Sequence, residues 1–175
     1  MYGEWLRVSV AELDRAKADL SWARDHAERV EESETRSGQH LEPPDVAGRR
    51  SFGTDKTWHA LAYLLARREF PVSIIYGEES FTEDPDDPEA DWGYGAPCYL
   101  TPDQVRQAAE ALTDLSEDDL LDGVDGDELQ REEIYPSVWD RGAEELQWAV
   151  CHLPWVKVYF QAAAKDGDAI ICWIG

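Results

Sequence analysis

Residues 54 to 65 read TDKTWHALAYLL and place an aspartate four positions ahead of a histidine. On a helix, Asp55 and His59 share one face of the first turn, where the carboxylate can orient and charge the imidazole, the equipment of a general base. Glu133, with Tyr94 or Tyr135, would then position a small substrate. The same residues also have a purely structural reading. A helix N-terminus favours a carboxylate with no chemistry attached. Trp58 starts an apolar stripe that Leu61, Ala62 and Leu65 continue at helical spacing, so its ring belongs to a core without any site.

Other familiar chemistries find no foothold. His59, Cys98, Cys151, His152 and Cys172 include neither a C-x-x-C nor an H-x-x-x-H pair, so no metal is expected. The run from Asp122, DGVDGDELQRE, lacks the acidic residues a calcium loop needs at its third and fifth positions. Gly93-Tyr94-Gly95 lacks the third glycine of a phosphate-binding loop, and no nucleophile elbow, Walker sequence or zinc-protease helix is present, so no cofactor is expected. What the chain does supply is aromatic surface, with 8 tryptophans and 7 tyrosines. Trp5, Trp58, Trp148, Trp155 and Trp173 fall in expected helices or strands and read as core. Trp92 and Trp139, beside DWGYG and YPSVW, are expected to be partly exposed. Trp58, Trp92, Tyr94, Tyr99, Tyr135 and Trp139 are the candidate ligand- or partner-binding residues, because aromatics rimmed by carboxylates suit a protein-binding surface.

The charge is the largest anomaly in the composition. The chain of 175 residues carries a net charge of -22. Residues 1–77 hold 11 Lys/Arg against 13 Asp/Glu, whereas residues 78–175 hold 5 against 25. A surface of this sign repels DNA, RNA and anionic membranes, since affinity for them comes largely from cations that release counterions. A basic protein is the partner it favours, although acidity on this scale also serves solubility. No stretch approaches the roughly 20 apolar residues of a membrane span, and MYGEWLRVSV lacks the parts of a signal peptide. Three cysteines, odd in number and distant in sequence, suit reduced thiols in the cytoplasm rather than disulfides.

The elements that must position these residues follow from periodicity and caps. Residues 4–10 alternate as a strand, and Ser9 with Glu12 forms a capping box for a helix expected to run to about Val30. Irregular segments are expected near 31–53 and 79–97. Thr54 or Asp55 caps a helix ending near Arg68, and FPVSIIYG (70–77) reads as a short helix from its flanking Pro and Gly. A short strand at 98–100 precedes a helix begun by Thr101, Pro102 and Gln104. Ser116 with Asp119 opens another, and a third runs from Asp127 to Ile134. The helical region from 142 to 165 is interrupted by Pro154 and ended by Gly167. Residues 169–174, AIICWI, form a closing strand apolar on both faces, which belongs inside a sheet.

The segments WLRVSVAEL, DKTWHALAYLL, PVSIIYGEES, GYGAPCYLTPDQV, EIYPSVW and KDGDAIICWIG occur in an order that resembles the YfbM-like family, small bacterial proteins grouped as a domain of unknown function. The resemblance spans nearly the whole chain apart from the loops. It implies one compact α+β domain over residues 1–175, a small mixed sheet packed by several helices. It brings no activity with it, so no residue inherits a role. Asp55, Lys56, Trp58, Tyr94, Tyr99, Thr101, Glu133, Tyr135 and Pro136 are the motif positions where a site is sought first. The break at Pro154 and the proline-rich acidic insertion depart from the family pattern. The function expected is a non-enzymatic cytoplasmic interaction protein, immunity-type or regulatory, whose acidic surface binds a basic protein. The alternatives are an acid–base enzyme around Asp55, His59, Glu133 and Tyr135, and a small-ligand carrier with a pocket of several hundred cubic ångströms.

Overall fold

The computed structural model describes residues 1–35, 42–84, 87–88 and 90–175. Strand β1 (Gly3–Val8) ends at Ser9, whose hydroxyl accepts from the Glu12 N–H while its own N–H donates to the Glu12 carboxylate at 2.8 Å, starting α1 (Val10–Ala18). The single helix expected to Val30 is two helices. Asp19 takes extended backbone, and its carboxylate accepts from the Ser21 hydroxyl at 2.7 Å and the Trp22 N–H at 3.0 Å, so it starts α2 (Leu20–Thr35) afresh. A short side chain that bonds nearby backbone competes with continued helix, which is why the break falls there.

The stretch expected to be irregular near 31–53 carries order. A 3-10 turn (Pro43–Gly48) leads into β2 (Ser51–Gly53), and a second 3-10 turn (Asp55–Thr57) precedes α3 (Trp58–Arg67). Neither Thr54 nor Asp55 caps that helix with its side chain. Residues 36–41, within the expected loop, lie outside the described residues. Residues 70–77 form a turn, not the expected helix. The Ile74 carbonyl is taken by the Trp5 indole N–H at 2.6 Å, and the Ser73 N–H by the Glu78 carboxylate at 2.6 Å, so these groups are withdrawn from a helical ladder. Val72, Ile74 and Ile75 are buried by this turn.

Strands β3 (Glu79–Ser80), β4 (Cys98–Leu100) and β5 (Ala169–Ile174) complete a five-stranded sheet in the order β2-β1-β5-β4-β3. Every pairing is antiparallel, so the sheet is not the mixed one expected, while the α+β class stands. Strand β5 is central, with Trp5 opposite Cys172 and Leu6 opposite Ile171 on one side, and Cys98 opposite Cys172 on the other. Its continuous apolar run is the signature of a strand covered on both faces.

Helices α1 and α2 cover one face through Leu13, Ala16 and Ala23 against Leu6, Val8 and Ile171. The other face packs Trp5, Leu100 and Ile170 against α4 (Pro102–Thr113) and α8 (Leu153–Asp166), with Leu112, Tyr159 and Phe160 at the centre. Helix α4 begins with the Thr101–Gln104 capping box and Pro102, as its spacing predicts. Arg7 is buried with this layer, where the alternation pattern placed a polar face; its guanidinium lies 2.6 Å from Asp166 and 2.8 Å from Asp168.

Three short helices, α5 (Glu117–Leu121), α6 (Gly126–Arg131) and α7 (Ala143–Val150), form a lobe beside α3. Residues 114–145 hold 13 carboxylates and two arginines. Helix α6 starts under the 3-10 turn Trp139–Arg141 so closely that a β-carbon on Gly126 would collide with the Trp139 carbonyl, and only glycine fits. It stops at Arg131, short of the expected Ile134, because Glu133 turns to φ 52° and the Ile134 N–H closes the chain onto Leu129 O at 3.0 Å. Pro154 separates α7 from α8, and Gly167 ends α8 in left-handed geometry at φ 74°. No helix among the described residues is long and apolar enough to cross a membrane.

Candidate functional site

A cleft of about 650 Å³ opens between the N-terminus, the turn before α3 and the lobe. Tyr2, Tyr135, Pro136, Val138 and Trp148 supply its apolar walls. Asp55, Glu144 and Glu145 supply carboxylates, with Lys56 and Arg141 as the accompanying cations. On α7, Glu144 and Glu145 stand four and three positions before Trp148, so helical geometry brings both acids and the ring to one side.

The walls are held by packing behind them. Ile134 is buried and its carbonyl accepts the Trp139 indole N–H at 2.7 Å, anchoring the turn that presents Tyr135. Trp139 in turn stacks on Trp148 with centroids 5.7 Å apart. Tyr135 stacks on Trp58 at 6.2 Å, Trp58 on His59 at 4.9 Å, and Tyr76 meets Trp58 edge-on at 6.0 Å. The buried Trp58 indole N–H has no hydrogen-bond partner among the described residues. Tyr135 and Trp148 are thus each backed by a stacked ring, Trp58 behind one and Trp139 behind the other, a preorganised wall that loses little freedom on binding.

The structure does not pair Asp55 with His59. Nδ1 of His59 accepts the Tyr135 backbone N–H at 3.0 Å, and burial alone pulls the imidazole below its ordinary pKa. Asp55, held at φ 50° in its 3-10 turn, directs its charge elsewhere, toward Glu4, Cys151 and His152. The expected dyad fails because the acid lies before the helix in left-handed backbone rather than in its first turn. Burial, with the charges of Glu31 and Asp55, raises Glu4 to about 7.

Of the sequence-predicted residues, Asp55 and Tyr135 line the cleft, and Trp58 and His59 support Tyr135 from behind. Glu133 is exposed and Tyr94 is 65% exposed, and both lie outside the cavities described here. Trp139, expected to be partly exposed, is 1% exposed, and Trp92 is 8% exposed against Trp173. Each lies beside a loop but turns inward, since burying an indole stabilises the fold more than a neighbouring polar loop opposes it. Tyr99 is likewise buried against Phe81 and beneath the Lys17 ammonium. Tyr2, Glu144, Glu145, Arg141 and Trp148 were not among the site residues the sequence suggested. The signal that marks Glu144, Glu145 and Trp148 is a tryptophan one turn after two glutamates that are the only charged residues of their helix. Among the described residues, no group of three His, Cys, Asp or Glu is placed to hold a metal ion.

The sequence profile of a family described as a domain of unknown function (DUF1877) matches residues 1–173. The chain belongs to this family. The fold of this family member is also that of a solved structure, the crystal structure of a protein of unknown function, YfbM from Escherichia coli. The two share 18% identity and a TM-score of 0.62, with 98% of each chain covered. At that identity the likeness is one of fold. No curated protein matches the chain.

Proposed function

We propose that this protein is a non-enzymatic binding module that docks a basic segment of another protein in the cleft between Tyr2, Tyr135 and Trp148. The observation that carries this reading is the joint lining of one 650 Å³ cleft by stacked aromatics and by Asp55, Glu144 and Glu145. A lysine or arginine stem lies along aromatic faces while its charge meets the carboxylates, a combination of cation–π contact and ion pairing that neither wall supplies alone. The acidic lobe extends the attraction beyond contact distance and raises the encounter rate with a basic partner. The three free thiols suit a reducing compartment, and the cytoplasm is the proposed place of action.

The test is a titration of the full chain with an oligo-arginine peptide and with an oligo-glutamate control, at low and high salt. Saturable binding of the arginine peptide that weakens with salt and is lost in a Glu144→Gln, Glu145→Gln, Trp148→Ala variant is the expected result. Equal behaviour of the two peptides, or unchanged affinity in a folded variant, overturns the proposal.

A further inference from the structure

A second cavity, of about 210 Å³, lies between the outer strand β2 and the junction of α7 with α8, lined by Phe52, Gly53, Cys151, His152 and Trp155. The imidazole of His152 is held there in a definite state. The Thr57 hydroxyl lies 2.6 Å from the Thr54 carbonyl, a separation that requires its single proton to be donated there. The same oxygen stands 3.0 Å from Nδ1 of His152, so it can only accept from that nitrogen. Neutral His152 therefore carries its proton on Nδ1, with the Cys151 sulfur a further 3.4 Å neighbour of that atom. Nε2 is left with a bare lone pair. No described residue bonds to it, and the ring lines the cavity, so Nε2 is the acceptor that His152 has left to offer a guest there.

The rest of the pocket offers a guest no charged side chain to pair with. Burial holds His152 below its ordinary pKa, and burial with the charges of Glu117 and Asp55 pushes the Cys151 thiol up to about 11. Both side chains are uncharged at neutral pH, and the same carboxylates disfavour an anionic guest. Phe52 and Trp155 present aromatic surface, and Gly53 contributes no side chain.

The geometry points to a binding site for a small, planar, uncharged molecule bearing one O–H or N–H donor, its ring beside Phe52 and Trp155 and its donor on Nε2 of His152. The site is separate from the cleft assigned to a basic partner, and neither reading depends on the other. No bond is made or broken; His152 acts as a fixed acceptor.

Phenol and toluene have nearly the same shape and differ in the donor, so the pair isolates the role of Nε2. In the full chain at pH 8, nitrogen NMR of the histidine rings first reports the tautomer, with Nε2 expected to be the unprotonated nitrogen of His152. Phenol is then expected to shift that nitrogen saturably and to bind about tenfold more tightly than toluene, the worth of one neutral hydrogen bond. His152→Phe is expected to abolish the preference while toluene still binds. Thr57→Val, which frees the tautomer, is expected to reduce the preference severalfold in a chain whose amide spectrum is otherwise unchanged. A proton on Nε2 in the free protein, equal affinity for phenol and toluene, no saturable shift at His152, or shifts confined to the Tyr135 cleft would each overturn the assignment.

Discussion

The backbone N–H of Tyr135 donates to Nδ1 of His59 across 3.0 Å and 76 positions of sequence. A backbone N–H can only donate, so Nδ1 must be unprotonated and neutral His59 keeps its proton on Nε2. The bond ties the turn that presents Tyr135 to α3, while Trp58 on the same helix supports the tyrosine ring. His59 is thus a positioning residue for the cleft wall.

Acid should break this tie. A second proton on His59 would set an N–H against the Tyr135 N–H. Burial lowers the folded pKa of His59 below 6.5, so the unfolded chain binds more protons between that lowered value and 6.5. Stability from this group is complete above 6.5 and is lost as pH falls through that window. His26 and His152 are lowered too and act with the same sign. Urea midpoints at pH 7.5 and 5.5 read the effect as a difference: His59→Asn, whose amide oxygen replaces the acceptor without titrating, is expected to gain on the wild type as the pH is lowered. His59→Leu leaves the N–H without a partner and is expected to cost roughly 1–2 kcal/mol at both values. An equal pH dependence in the wild type and His59→Asn would contradict this account.

Glu4 works in the opposite direction. Its carboxyl packs over Gly53, where an added β-carbon would stand 2.5 Å from the Glu4 oxygen, and it faces the charges of Glu31 and Asp55. With its pKa raised from 4.5 to about 7, the folded chain holds a proton there that the unfolded chain has lost. Its contribution is full below 4.5 and is lost as pH rises through 7. Glu4→Gln keeps the shape and removes the charge, so it is expected to stabilise the protein at pH 8 by an amount on the order of 1–3 kcal/mol and to change little at pH 4. Denaturation at the two pH values measures the difference; a Gln variant less stable than wild type at pH 8 would refute it.

Arg7 tests a buried charge whose partners differ in exposure. It bridges Asp166, which is 58% exposed, and the more enclosed Asp168, and it also donates to Ala47 O at 2.9 Å. Arg7→Ala leaves these acceptors without a donor, and a loss of about 3 kcal/mol or more is expected. Asp166→Asn removes only a solvated partner and should cost under about 1 kcal/mol. Comparable losses for the two variants would show that the bridge is not organised around Arg7.

Local chemistry made much of this fold legible. The Ser9–Glu12, Thr101–Gln104 and Ser116–Asp119 spacings mark helix starts because each cap satisfies its own orphan donors with residues three apart. The two-faced apolar run of β5 marks a central strand for an equally local reason. Most of what escaped depends on partners distant in sequence. Residues 70–77 turn because Trp5 claims a carbonyl 69 positions away. The cleft escaped for the same reason, since Tyr2, Asp55, Tyr135 and Trp148 come from four separate segments. Trp139 escaped although its partners are near, because the turn that lets Ile134, five positions back, satisfy its indole and Trp148 stack on it leaves no periodic pattern in the sequence. Asp55 and His59 show the converse error. A spacing of four suits a dyad only if both residues are helical, and Asp55 is not.

The cleft's two materials should separate in kinetics. Carboxylates at its rim act on a basic partner before contact, so Glu144→Gln with Glu145→Gln is expected to slow association of an oligo-arginine peptide severalfold at low salt, with dissociation changed less. Trp148 acts only after contact, when a guanidinium lies on its ring. Trp148→Ala is therefore expected to leave association nearly intact and to speed dissociation about tenfold or more, as loss of a buried aromatic anchor does. Raising the salt should slow association for the wild type and Trp148→Ala alike, and should affect the double glutamine variant least. Stopped-flow measurement of both rates across salt concentrations decides the matter. If the glutamine substitutions change dissociation alone, the acidic lobe does not steer, and the negative charge of the second half serves solubility instead of recognition.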